Sequence, residues 1–243
     1  MMHPSSHIYV TGVILCLLVT ENDDVSLRVD GLLLDCDGVL VDSHSAAATV
    51  WNLWAKRWAP GFDFHRDIEH GRRITDVVAE LISTPSDVAA AAADLVQREL
   101  EHATDVPAIP GARQLLDFSP KGSWAVVTSG NRDIATARMA SAGLPTADIL
   151  VTGGDVEKGK PFPDPYLLAA QRLQIPPRQC AVFEDAPAGI ASARAAGVTT
   201  IIGVGATAAA AGVTLAVADL RGVRFDGHQL RIESGAIQSP RST

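Results

Sequence analysis

The chain has 243 residues, of which 47% are apolar, and carries a formal net charge of −8. This length allows one domain with an insertion or two small domains, and the apolar content supports a sizeable core. The negative charge argues against nucleic acid or an anionic membrane surface as a partner. Its cysteines, Cys16, Cys36 and Cys180, are odd in number and form no Cys-x-x-Cys pair, so neither a disulfide framework nor a zinc site is indicated. Free thiols fit a reducing cytosol.

Residues 1–24 are interpreted as an N-terminal extension outside the catalytic fold. Residues 10–19 form an apolar run that is too short to span a bilayer. A secretory signal normally has Lys or Arg ahead of its apolar part, whereas only His3 and His7 precede this run. We therefore do not expect a signal peptide.

The first regular element is a buried strand predicted over residues 27–34, which leads into Asp35-Cys36-Asp37-Gly38. Side chains two residues apart in an extended chain point the same way, so the two carboxylates are expected to lie together. Open α/β sheets bind ligands at this edge of the strands. Like charges this close need a cation or a shared proton, and Mg²⁺ is the simplest cation for oxygen ligands. An ordinary acidic turn is the alternative, because Asp-Gly is a common turn dipeptide.

Residues 46–105 are predicted to form an all-helical insertion. Helices are expected over residues 46–58, 75–82 and 87–102, with Ser86 capping the third. The first of them places Trp51, Trp54 and Trp58 at helical spacings. We interpret this aromatic stripe as packing inside the helical unit, with the lining of a substrate pocket as the alternative.

Strands and helices alternate after the insertion. Strands are predicted over residues 123–127, 149–152, 180–183 and 199–204, and helices after Gly111 and over residues 133–142, 164–173 and 188–196. The alternation predicts a Rossmann-like, doubly wound parallel sheet with helices on both faces. A hairpin is expected over residues 223–232 around Asp226-Gly227. The resulting domains are a core of residues 25–45 and 106–233, a cap of residues 46–105 and a polar tail of residues 234–243.

The polar clusters of the predicted core lie where strands end. Thr128 and Ser129 offer hydroxyls and free backbone N–H groups to an anion, although a simple helix cap would use the same residues. Lys160 lies in a proline-stiffened loop, and the alternative for it is a solvated surface lysine. Glu184 and Asp185 follow an apolar strand, where buried carboxylates need a metal or hydrogen-bond donors.

These stretches together resemble the haloacid dehalogenase superfamily of phosphohydrolases, in the right order over residues 25–217. The motif residues that carry the resemblance are Asp35-x-Asp37-Gly38-Val39, Thr128, Lys160 and Glu184-Asp185. Residues 70–73, 127–133, 159–161 and 182–190 are similar to the members with small substrates, namely sugar-phosphate and glycerol-phosphate phosphatases and β-phosphoglucomutase. The helical insertion resembles their small mobile cap.

The resemblance implies a Mg²⁺-dependent enzyme that hydrolyses small sugar or polyol phosphates. We also expect a monomer, located in the cytoplasm. The resemblance also implies that Asp35 is the nucleophile that forms an aspartyl-phosphate and that Asp37 is the general acid and base. The phosphate would be bound by Thr128, Ser129 and Lys160, and Arg73 would reach the substrate from the cap. The metal would be held by Asp35, Asp185 and the Asp37 carbonyl, with Glu184 nearby. Arg73 has a surface helix arginine as its alternative.

Other activities on the same fold stay open at this stage. A phosphosugar mutase of the β-phosphoglucomutase type is the main alternative, but Ala47 stands where those mutases carry a hinge histidine, and His44 is three residues early. A dehalogenase would not need Asp37. A phosphonatase would need a cap lysine, and Lys56 is the only one there. A non-catalytic binding protein would not need every motif side chain. Cys36 is expected to pack as a small hydrophobe.

Overall fold

The computed structural model describes residues 24–104, 106–209 and 211–238. The apolar run at residues 10–19 and the last five residues lie outside the described residues. Within the described part of the chain, no helix has both the length and the apolarity required to cross a membrane.

The described residues form two sheets. The strands are β1 Val25–Arg28, β2 Gly31–Leu34, β3 Trp124–Val127, β4 Leu150–Val151, β5 Cys180–Glu184, β6 Thr200–Val204, β7 Leu215–Val217, β8 Val223–Phe225 and β9 Gln229–Ile232. Six of them make a parallel sheet in the order β4-β3-β2-β5-β6-β7, and three make an antiparallel sheet in the order β1-β9-β8. The predicted Rossmann-like parallel sheet is confirmed, and β2 lies at its centre.

Helices cover both faces of the parallel sheet and form the insertion. They are α1 His44–Trp58, α2 Phe64–Asp67, α3 Ile74–Leu81, α4 Val88–Glu101, α5 Ala112–Phe118, α6 Arg132–Ser141, α7 Asp164–Leu173, α8 Pro187–Ala195 and α9 Gly205–Ala209, with short 3₁₀ turns at Pro85–Asp87, Gly153–Asp155, Pro177–Gln179 and Ser234–Ala236. Leu32 and Leu34 of β2 pack into the apolar core on one face of the sheet, and Leu33 packs into the core on the other. Every residue of β2 is therefore buried, as expected for a central parallel strand.

The predicted strand over residues 27–34 is two strands in different sheets. In β1, Val25 and Leu27 are buried while Ser26 and Arg28 are exposed, which is the alternation of a half-buried antiparallel strand. The chain leaves this sheet after β1 and enters the parallel sheet at Gly31, where a Cβ would lie only 2.8 Å from Ile175 Cδ1. The predicted hairpin is present as β8 and β9, and β9 is the partner of β1.

The insertion after β2 is the predicted helical cap, built from α1 to α4. Trp54 is fully buried at its centre, and its Nε1 donates to the carbonyl of Ala91 at 2.8 Å. The aromatic stripe thus packs inside the cap. Ser86 is not a helix cap as predicted, because Pro85 begins a 3₁₀ turn that contains Ser86 and α4 begins only at Val88.

The first residues of the predicted tail belong to the fold. Ile237 pairs with Val217 at the end of β7, and the backbone N–H of Gln238 donates to the carbonyl of Ala216 at 2.8 Å. The polar composition of the segment gave no sign of this pairing, which depends on the exposed edge of β7.

Candidate active site

The loop after β2 brings its two aspartates against the loop after β5. Gly38 adopts a left-handed backbone with φ +82°, and a Cβ at that position would overlap the carboxylate of Asp185. Only glycine allows this approach without displacement of Asp185. Because β2 and β5 are hydrogen-bonded neighbours, their carboxyl ends present Asp35 and Asp185 to the same space.

Asp35, Glu184 and Asp185 form a cluster of carboxylates that fits a divalent cation. Each offers an oxygen within 4.8 Å of the oxygens of the other two. All three are buried or nearly so, and the ligand atoms are hard oxygens of the kind that Mg²⁺ prefers. The chemistry of this donor set therefore fits the predicted metal.

Lys160 is the cation that the chain itself supplies to this cluster. It is 2% exposed, and its Nζ donates to Asp35 Oδ1 at 2.6 Å, to the carbonyl of Val127 at 3.0 Å and to Glu184. Glu184 also accepts from Tyr166 Oη at 2.8 Å and from the backbone N–H of Ala186 at 3.2 Å. The oxygens of Glu184 are thus occupied by protein donors, which leaves Asp35 and Asp185 better placed for a metal.

Burial governs the ionisation of these groups. It raises the pKa of Asp35 well above its ordinary value, with Lys160 opposing and the neighbouring carboxylates adding to the rise. Burial also raises the pKa of Asp185, although the hydrogen bond from His44 acts to lower it. His44 Nε2 lies 3.3 Å from Asp185 Oδ2. Burial raises the pKa of the Cys36 thiol well above its ordinary value, in keeping with a packing role.

Thr128 and Ser129 extend from the end of β3 beside this cluster. Thr128 is 2% exposed, and its Oγ1 accepts from the backbone N–H of Gly130 at 3.0 Å. Ser129 Oγ donates to the carbonyl of Gly71 in the cap at 2.6 Å. Both hydroxyls lie at the end of a core strand, as predicted. In this conformation the Ser129 hydroxyl also joins the core to the cap.

A cavity of about 120 Å³ lies between core and cap above these groups. Its polar lining includes Asp35, Asp37, His44, His70, Glu99, Thr128, Ser129, Arg138 and Asp185. Its apolar lining includes Ala47, Trp51, Phe64, Ile68, Ile74 and Ile134. Trp51 packs inside the cap, as predicted, and its side chain also lines this cavity. The cavity offers hydrogen-bonding groups and an apolar wall to a small polar ligand.

Arg73 contacts the core rather than the carboxylate cluster. Its Nη1 donates to the carbonyls of Val156 at 3.2 Å and Glu157 at 3.1 Å, while Nε and Nη2 bond to Asp76. Its side chain passes close to Gly153 and Gly159, where a Cβ would crowd it. The guanidinium thus holds the cap on the core in this conformation, and the substrate contact expected of Arg73 stays a prediction.

Arg138 and Glu99 are among the pocket residues that the sequence reasoning did not assign. Arg138 is buried on α6, where its Nη1 donates to Asp37 Oδ1 at 2.7 Å and its Nη2 bonds to Glu99 of the cap. A signal was available, because Arg138 shares the buried face of α6 with Ile134, Ala135 and Met139. An arginine on an apolar helix face requires a buried partner.

The fold and this cluster define an α/β protein with an acidic candidate active site at the carboxyl end of a parallel sheet. The sequence pattern of the haloacid dehalogenase-like hydrolase family matches residues 29–197, and the chain belongs to that family. The resemblance is thereby confirmed. The expected enzyme class, a phosphoric monoester hydrolase, is confirmed by this family together with the phosphatases described next.

Relatives of known activity are similar over most of the chain. Hexitol phosphatase A of Escherichia coli is 40% identical over 175 residues, which cover 70% of this chain and 81% of that protein. Glycerol-1-phosphate phosphohydrolase 1 of Saccharomyces cerevisiae is 34% identical over 195 residues, covering 75% and 77% respectively. The crystal structure of β-phosphoglucomutase from Clostridium difficile has the same fold, with a TM-score of 0.66 and 18% identity over 79% of this chain and 92% of that one.

Proposed function

We propose that this protein is a Mg²⁺-dependent phosphatase that hydrolyses small sugar or polyol phosphates through an aspartyl-phosphate on Asp35. The observation that carries the proposal is the position of Asp35, which borders the cavity with Lys160 at 2.6 Å and Asp185 beside it. The substrate class is supported by the hexitol and glycerol-1-phosphate phosphatases among the relatives.

The metal ligands in this proposal are Asp35, Asp185 and the backbone carbonyl of Asp37. Glu184 is not a direct ligand in this proposal, because its oxygens already accept hydrogen bonds from Lys160, Tyr166 and Ala186. Mg²⁺, when bound, offsets the negative charge of the phosphoryl oxygens and of the carboxylates.

The chain's own residues account for the remaining chemistry. A carboxylate oxygen of Asp35 attacks phosphorus, and the bond from phosphorus to the sugar oxygen breaks as Asp37 gives that oxygen a proton. Asp37 then takes a proton from water, which attacks phosphorus, releases phosphate and restores Asp35. Thr128, the neighbouring Ser129 and Lys160 hold the phosphoryl oxygens throughout.

Water is the proposed acceptor rather than a second sugar hydroxyl. Ala47, at the place of the mutase histidine, lines the cavity wall and has no polar side-chain atom to offer. The cap contacts made by Arg73 and Ser129 support closure of the cap over the bound substrate. Closure would exclude bulk water, so that the attacking water is one already inside the cavity. A cytosolic location is proposed as well, in keeping with the buried free thiols of Cys36 and Cys180. A monomer is proposed with it.

The test is phosphate release from a panel of sugar and polyol phosphates with Mg²⁺, using Asp35→Asn as the matched inactive variant. The wild-type protein is expected to release phosphate and the variant to lose more than about 10³-fold of that rate while remaining folded. Near-normal release by folded Asp35→Asn would refute the mechanism. Rapid conversion of β-glucose 1-phosphate to glucose 6-phosphate with a trace of the 1,6-bisphosphate, and little free phosphate, would favour the mutase.

A further inference from the structure

The two carboxylate oxygens of Asp37 have different surroundings. Oδ1 accepts two hydrogen bonds, from Ser43 Oγ at 2.6 Å and from Arg138 Nη1 at 2.7 Å. Oδ2 faces the turn after β3, since a Cβ built on Gly130 would lie 4.0 Å from it. With both donors on Oδ1, the oxygen left to carry a proton toward a ligand beside Thr128 is Oδ2.

Arg138 in turn connects Asp37 to the cap. Its Nη2 bonds to a carboxylate oxygen of Glu99, which lies on cap helix α4, whereas Arg138 itself lies on core helix α6. The side chains of Arg138 and Glu99 are 7% and 4% exposed. The guanidinium therefore lies between one carboxylate of the core and one of the cap, almost out of contact with water.

This arrangement depends on a closed cap. Among the described residues, Nε of Arg138 is buried without a hydrogen-bond partner, and Nη1 and Nη2 orient the guanidinium, each toward a different carboxylate. Movement of α4 away from the core would remove Glu99 and leave Arg138 paired with Asp37 only. A buried arginine that loses one of its two carboxylates is poorly compensated.

We propose that Arg138 is a positioning residue for Asp37, because it holds Oδ1 so that Oδ2 presents the proton to the leaving oxygen. Glu99 completes this arrangement only when the cap is closed. The inference rests on the proposed function, because it assigns the step at which Asp37 acts as general acid. It extends that function by making protonation of the leaving group dependent on a cap residue.

The experiment compares kcat/KM for two substrates that differ in their need for an acid. The glycerol part of glycerol phosphate leaves as an alkoxide that needs a proton, whereas the 4-nitrophenyl part of 4-nitrophenyl phosphate leaves as a stable phenolate. The parameter kcat/KM covers only the steps up to release of that first product, so the later role of Asp37 with water does not enter. Arg138→Met removes the donors and keeps most of the side-chain volume. Arg132→Met is the matched control, because Arg132 lies on the same helix, is exposed and does not line the cavity.

Arg138→Met is expected to lower kcat/KM for glycerol phosphate by about 10²-fold or more and for 4-nitrophenyl phosphate by less than about tenfold. Glu99→Gln is expected to show the same preference in weaker form, and Arg132→Met to leave both values unchanged. Equal losses on the two substrates, or an unchanged value for glycerol phosphate, would overturn the inference. If Arg138→Met does not fold, Arg138→Lys is measured instead and judged by the same ratio. Absence of phosphate release from both substrates by the wild-type protein would overturn the proposed function itself.

Discussion

The proposed metal site makes a prediction about stability that does not depend on activity. Asp35, Glu184 and Asp185 contribute three carboxylates to one cluster, and Lys160 contributes one ammonium. When all four are ionised, three negative charges and one positive charge leave a formal charge of minus two in a site with little access to water. A ligand that binds only the folded protein stabilises it by mass action, and a divalent cation would neutralise this charge.

The expected size of the effect follows from that linkage. At a Mg²⁺ concentration about 100-fold above the dissociation constant, the free energy of unfolding should rise by about 2.7 kcal/mol. For a chain of this length each kcal/mol raises the melting temperature by about 2–4 °C, so a rise of about 5–10 °C is expected. Asp185→Asn removes one proposed ligand and should abolish most of that rise.

The assay is thermal unfolding after removal of metal by EDTA, with and without Mg²⁺ at constant ionic strength. Asp117→Asn is a suitable control, because Asp117 is an exposed carboxylate paired with Arg113 and should leave the Mg²⁺ effect intact. An equal rise in wild type and Asp185→Asn would refute the assignment of the ligands. Absence of any rise in the wild type would refute the metal site.

Three further substitutions test other parts of the account. Arg73→Ala should lower kcat/KM for a sugar phosphate and for 4-nitrophenyl phosphate alike, by about tenfold, because it removes charge-assisted bonds that hold the cap on the core. A loss confined to the sugar phosphate would instead support the predicted substrate contact. Tyr166→Phe should lower the free energy of unfolding in urea by about 1.5–3 kcal/mol, since it removes a buried donor to Glu184, and an unchanged value would contradict that bond. Asp155 has a pKa of about 2, because hydrogen bonds from Thr152 and Arg172 outweigh the effect of partial burial. The ionised Asp155 carboxylate should stabilise the fold by about 1 kcal/mol after solvent screening, at neutral pH, and this contribution should be lost as pH falls from about 5 toward 2. The free energies of unfolding in urea of wild type and Asp155→Asn should therefore differ at pH 7 and converge in acid. A difference that stays constant with pH would contradict this.

Local patterns predicted most of the core correctly. A buried strand followed by a polar cluster occurs at β2, β3 and β5, and helix α7 was predicted with its observed bounds, Asp164–Leu173. These features depend on residues close together in sequence, where hydrophobic periodicity and turn residues are informative.

Two of the errors came from contacts between distant parts of the chain. Whether β1 continues into β2 depends on β9, about two hundred residues later, which pairs with β1 and draws it into another sheet. The pairing of Ile237 with Val217 likewise depends on which edge of the sheet is left open.

The site shows the same division between local and distant information. The motif residues Asp35, Asp37 and Asp185 follow strands, so their convergence could be expected from the order of the elements. Arg138 and Glu99 lie on helices of different units, and their meeting with Asp37 depends on how the cap sits on the core. No spacing in the sequence encodes that contact.

The most direct test of the account is whether Asp35 becomes phosphorylated during turnover. Enzyme that is turning over a polyol phosphate would be quenched in acid and treated with borohydride, which reduces an aspartyl-phosphate to homoserine, and the modified residue would be located by peptide mass spectrometry. The account predicts homoserine at position 35 in the wild type, and none when substrate is omitted. Unmodified Asp35 during active turnover, or homoserine at Asp37 or Asp185 instead, would contradict it.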